Sequence, residues 1–122
     1  MNRRILLPLA ALPLLLSAVP CSESEGRPVD VVLGENTDGS MYMRPASISF
    51  TPGETITFYV KNEGSSDHEF ESDEAGIEEV IIPRGRTRKV TWKAPQSGSY
   101  PVYCDMAGHR AAGMEATLGP AR

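Results

Sequence analysis

The stretch TPGETITFYVKN, residues 51–62, decides the fold. Pro52 and Gly53 match the backbone demand of a turn that delivers the chain into a strand. Ile56, Phe58 and Val60 then fall at every second position and share one face. The same period recurs at Val80 and Ile82, at Val90 and Trp92, and at Tyr100 and Val102. No stretch carries a convincing helical period. Working outward, candidate strands cover 29–34, 40–43, 46–50, 54–62, 68–71, 77–82, 86–92, 99–104 and 114–118, with PRGRT (83–87) supplying another turn. Eight or nine short strands predict an all-β Greek-key sandwich with antiparallel pairing.

The N-terminus has a different character. MNRRILLPLAALPLLLSAVP, residues 1–20, sets Arg3 and Arg4 before an apolar run, the pattern of a secretory signal. The run is too short and too broken by proline for a stable membrane-spanning helix, although an uncleaved anchor is the rival reading. Cys21 follows it directly. Two readings stay open there: lipidation after cleavage, which would tether the protein to a membrane, or an ordinary cut that leaves a spare thiol. Pro20 beside the cut disfavours the first. The paired arginines are also compatible with export in the folded state. Residues 21–28 read as a flexible leader and 29–122 as the folded domain.

Loss of residues 1–20 removes two arginines and no acids, taking the formal charge from −4 to −6. Such an acidic chain excludes nucleic-acid binding. With Cys21 in the leader, the domain keeps only Cys104, so no internal disulfide can form. An exported domain with one lone cysteine usually has a use for it.

That use is suggested by YCDMAGHRAAGM, residues 103–114, where Cys104, His109 and Met114 are evenly spaced. Alternation points Cys104 inward with Tyr100 and Val102, His68 with Phe70, and Met114 with Ala116 and Leu118. His109 falls in the intervening loop, so the four groups can converge at one end of the sandwich. A thiolate, imidazole nitrogens and a thioether together suit copper in both oxidation states, with two histidines and a cysteine in a plane and a distant axial methionine. Taken singly, each residue has a plainer explanation: a surface histidine, a core methionine, an inert buried thiol. Zinc has no use for methionine. A Cys–His nucleophile would leave His68 and Met114 idle. A binuclear copper centre needs a second cysteine in the loop, and multicopper catalysis needs more than the two histidines present, so an enzyme is not expected. Met41, Met43 and Met106 raise a copper-chaperone reading, against which core packing or surface placement is the simpler account.

The segment 77–118, and above all YPVYCDMAGHRAAGM (100–114), resembles the C-terminal half of a cupredoxin, a blue-copper protein of the plastocyanin-, sulfocyanin- and rusticyanin-like kinds. FYVKNEGSSDHEF (58–70) is similar to the family's strand, loop and first histidine. The resemblance implies a Greek-key sandwich that holds one type 1 copper ion through His68, Cys104, His109 and Met114. It implies a monomeric one-electron carrier on the exported side of the membrane, periplasmic or extracellular. The expected partner is a redox protein such as a c-type cytochrome or a membrane oxidase or reductase. Tyr103 is expected on the docking or electron-entry surface, together with the small residues Ala107 and Ala111 around His109. One departure is Glu69, where plastocyanins and azurins commonly have an asparagine that ties the first-histidine segment to the cysteine loop. Two other functions stay open: copper sequestration or delivery, and an interaction module of a larger redox complex.

Charge adds a weaker clue. Seven acids lie between Asp67 and Glu79, and five bases between Arg84 and Lys93. A solvated acidic loop facing a basic hairpin is one reading. Steering of a basic partner is the other.

Overall fold

A computed structural model describes residues 25–122. The signal expected over 1–20, Cys21 and the leader through residue 24 lie outside the described residues. Nine strands and no helix occur among the described residues: β1 (Arg27–Glu35), β2 (Met41–Arg44), β3 (Ser47–Phe50), β4 (Thr55–Asn62), β5 (His68–Ser72), β6 (Ile77–Ile82), β7 (Thr87–Lys93), β8 (Tyr100–Tyr103) and β9 (Glu115–Pro120). Every strand expected from alternation is present within a residue or two. The turn before β4 closes through the Glu54 N–H donating to the Thr51 carbonyl at 3.1 Å, with Gly53 at φ 75°. A positive φ at that position is why glycine serves there.

The strands form a four-stranded sheet, β2-β1-β4-β7, and a five-stranded sheet, β3-β9-β8-β5-β6. Here the structure corrects the antiparallel expectation, because both sheets are mixed. β1 runs parallel to β4, pairing Val31 with Val60, and β3 runs parallel to β9, pairing Ile48 with Leu118. Alternation tells which face a side chain takes; it carries no information about which strand lies alongside. The parallel pairs arise because the chain crosses between the sheets before returning. β1 also begins two residues earlier than expected. Arg27 is drawn into register with Ile56, and its guanidinium holds Glu54 at 2.9 Å and the Ser49 carbonyl at 2.7 Å.

Between the sheets lies a core whose centre is aromatic. The Phe58 ring sits 5.3 Å from that of Phe70 and 6.1 Å from Trp92, and Phe50 meets Trp92 edge-on at 5.4 Å. Phe58 and Trp92 come from one sheet, Phe50 and Phe70 from the other, so these contacts lock the two layers. Trp92 meets its polar need by donating from Nε1 to the Ala75 carbonyl at 2.8 Å.

The five-stranded sheet positions the site. β5, β8 and β9 are adjacent, with Glu71 opposite Tyr103 and Tyr103 opposite Glu115. The start of β5, the end of β8 and the start of β9 therefore lie along one edge of the layer. His68 begins β5, Cys104 directly follows β8 and Met114 directly precedes β9.

Candidate metal centre

Each side chain reaches the site for a local reason. In β5 the pattern His68, Phe70, Ser72 is buried while Glu69 and Glu71 are not, so the imidazole turns inward. Cys104 follows Val102 into the core, and Met114 precedes Ala116 and Leu118 on one inner face. All three ligand candidates on strand ends are fully buried, whereas His109 is half-buried in the β8–β9 loop.

That loop is folded largely on its own backbone. The His109 N–H donates to the Met106 carbonyl at 2.9 Å and Ala112 to Gly108 at 3.0 Å. The His109 carbonyl in turn accepts from Met114 at 3.1 Å, and the Met114 carbonyl accepts from Cys104 at 3.2 Å. These bonds draw together the backbones of Cys104, His109 and Met114, which lie five residues apart.

His68 Nδ1 lies 3.2 Å from His109 Nδ1, and Cys104 Sγ lies 3.4 Å from the same atom. All three donor atoms fall within 4.8 Å of one another. Nitrogen and sulfur ligands held at about 2.0–2.3 Å from a common ion, with angles of about 100–120°, stand roughly 3.1–3.8 Å apart. The donors therefore fit a single metal ion, and their chemistry is that of a copper site. Two imidazole nitrogens facing each other at this distance otherwise need a proton between them. Met114 is brought to the same end of the sandwich, tied through its backbone to both Cys104 and His109.

Electrostatics sharpen the picture. Burial pushes the Cys104 thiol above its ordinary range, opposed by backbone amides of Glu69 and Met106 that favour the thiolate. The Glu69 N–H donates to Sγ at 3.2 Å. The tie between the first-histidine segment and the cysteine is thus present, but it comes from the backbone of residue 69 and is independent of its side chain. Burial lowers the His68 pKa, with the Glu35 carboxylate pulling the other way. Burial thus favours the neutral imidazole of His68, the form a metal needs.

Sequence reasoning missed the surroundings of His68. Its Nε2 lies 3.0 Å from Glu35 Oε1, though off the line of a full hydrogen bond. Glu35 is held by Ser65 and Ser66, and those hydrogen bonds lower its pKa from 4.5 to about 2. Asn62, fully buried, donates to the Ser66 and Ile82 carbonyls at 2.8 Å each and accepts from the Gly64 N–H. Glu35 and Asn62 end β1 and β4, and no spacing rule in the sequence links them to His68.

Tyr103 departs from its expected exposure. It faces away from the core, but only 6% of its surface is accessible, because the Arg110 guanidinium stacks 3.9 Å over its ring. Arg110 also pairs with Glu115. Ala107 and Ala111, two residues either side of His109, are exposed.

Comparison with known proteins agrees with this geometry. A family model described as Cupredoxin-like domain matches residues 8–114. The copper-resistant cuproprotein CopI of Rubrivivax gelatinosus is 26% identical over 113 residues, covering 73% of this chain and 68% of that protein. The CopI of Pseudomonas aeruginosa is 41% identical over 51 residues, covering 42% of this chain and only 25% of its own length. Among solved structures, dithionite-reduced auracyanin from Roseiflexus castenholzii superposes with a TM-score of 0.66 at 18% identity, covering 80% of this chain and 99% of its own. The copper-containing nitrite reductase of Thermus scotoductus gives 0.65 at 13% identity, covering 78% of this chain and 31% of that larger protein. Both structural likenesses speak to fold alone.

Proposed function

The chain belongs to the cupredoxin-like domain family, and from that premise we propose that it holds one type 1 copper ion and carries one electron at a time. The observation that carries this reading is the convergence of His68 Nδ1, Cys104 Sγ and His109 Nδ1, with contacts of 3.2 and 3.4 Å to His109 Nδ1, at one end of the sandwich. Met114 would supply the fourth donor in this reading. Bound copper would supply a centre that changes oxidation state by one electron.

The protein's own residues do the rest. His68, Cys104 and Met114 sit on strand ends locked into the sandwich, so the donors move little whatever the charge they face. Their burial keeps water away. The amides of Glu69 and Met106 hold negative charge on sulfur. His109 is the most accessible of the four, and Ala107 and Ala111 beside it leave room for a partner to approach its ring. The acidic run from Asp67 to Glu79 would steer a basic partner such as a c-type cytochrome. Export to the periplasm or beyond, with Cys21 as the point of any lipid tether, completes the proposal.

Copper sequestration or delivery is the second reading, favoured by the two CopI relatives named as copper-resistant. Adding Cu(II) to the purified protein and recording its visible spectrum and voltammogram separates them. An electron carrier gives an intense sulfur-to-copper band, absent in Cys104→Ser, and a reversible couple. Readily removed Cu(I) without a reversible couple would establish the handling role instead. A spectrum indifferent to Cys104→Ser would overturn both site and function.

A further inference from the structure

Glu35 ends β1, yet its carboxylate lies against the buried edge of a histidine in β5. Its oxygens are already engaged: Oε2 accepts from the Ser65 N–H at 3.0 Å and from the Ser65 hydroxyl, and Oε1 accepts from the Ser66 hydroxyl at 2.7 Å. A carboxylate has about four acceptor positions, so one remains, on the oxygen 3.0 Å from His68 Nε2. Gly64 packs closely against the contact: a Cβ there would stand 2.7 Å from Nε2, 2.9 Å from Oε1 and 3.1 Å from Asn62 Oδ1.

We propose that Glu35 is a positioning residue for the copper site: it keeps the His68 proton on Nε2 and the Nδ1 lone pair toward Cys104 and His109, and its charge favours the oxidised ion. A carboxylate on the far nitrogen of a ligating histidine selects the tautomer and makes the ring a stronger donor. A negative charge held in a poorly solvated place stabilises the more positive metal, which lowers the reduction potential. A plain loop tie would need only acceptors for the two serines. Selecting the tautomer also needs an acceptor at Nε2, and lowering the potential needs a negative charge there.

The second half of this inference rests on the copper reading above; the first half does not, and the test uses that difference. In the metal-free protein, nitrogen-15 NMR of the His68 ring should show the Nε2–H tautomer alone. Glu35→Gln should lose that preference, and the copper-loaded variant should show a higher reduction potential while keeping its charge-transfer band. Ser65→Ala with Ser66→Ala should lower the unfolding temperature yet retain the tautomer. If Glu35→Gln does not fold, Glu35→Asp, which keeps the charge one methylene shorter, should give an intermediate tautomer ratio and potential. An unchanged tautomer and potential in whichever Glu35 variant folds would overturn the proposal. A shifted tautomer in a protein that binds no copper would uphold the role of Glu35 toward His68 and sink the electron-carrier reading alone.

Discussion

Two loops bring the donors together, and they are built in opposite ways. The β8–β9 loop, residues 104–114, is held mostly by its own backbone, with bonds running between Cys104, Met106, Gly108, His109, Arg110, Gly113 and Met114. Its ties to the outside include the Met41 N–H donating to the Ala112 carbonyl at 2.8 Å and the Glu69 N–H donating to Cys104 Sγ at 3.2 Å. The β4–β5 loop, residues 63–67, is held from elsewhere. Glu63 donates to the Leu33 carbonyl at 2.9 Å, the serines to Glu35, and Asp67 accepts from the Arg84 N–H at 3.0 Å. A loop folded on itself writes its purpose into a short motif. A loop fastened by remote chain leaves no local trace, although its histidine is the more deeply buried of the two.

The contrast can be broken at one glycine in each loop. Gly113 has φ 112°, and a Cβ there would meet the Met41 carbonyl oxygen at 2.6 Å. Backbone cannot step aside, so Gly113→Ala should destabilise the protein by about 3 kcal/mol in urea unfolding. It should weaken copper uptake at the same time. Near-native stability would show that the closing loop is less self-determined than its hydrogen bonds indicate.

Gly64→Ala should cost less, about 1–2 kcal/mol, because one of the groups the added methyl meets, the partly exposed Glu35 carboxylate, can swing away. Its signature should be an altered reduction potential, read by voltammetry, as the carboxylate is moved off the imidazole. A stability loss with an unmoved potential would mean that this loop merely supports the site.

The comparison can also be sharpened in acid. Glu35 has a folded pKa of about 2 against an ordinary 4.5. A depressed carboxylate pKa adds stability above the unfolded value, and that stability is lost as pH falls through the folded one. Metal-free protein should therefore lose stability between about pH 4.5 and 2. Glu35→Gln should decline less steeply there, measured by chemical unfolding at a series of pH values. Parallel curves would show that the carboxylate is not held as the β4–β5 loop geometry requires.

The strand pattern was legible almost throughout because each strand buries one face, and burial of one face forces alternation. Cys104, His109 and Met114 were legible because eleven consecutive residues carry them in a single turn. Even the inward direction of His68 followed from its sharing a face with Phe70. The parallel partners of β1 and β3 were not legible, and neither was the covering of Tyr103 by Arg110, since alternation says nothing about what lies across a strand or over it.

The sequence by itself determined the all-β character, the candidate donor types and the loop that groups three of them, since these depend on the order of neighbouring residues. Only the tertiary structure decided that Glu35 meets His68, that residue 69 ties the cysteine through its backbone, and that both sheets are mixed. Those contacts join segments some thirty residues apart or more, and what selects them is the packing of one sheet upon the other.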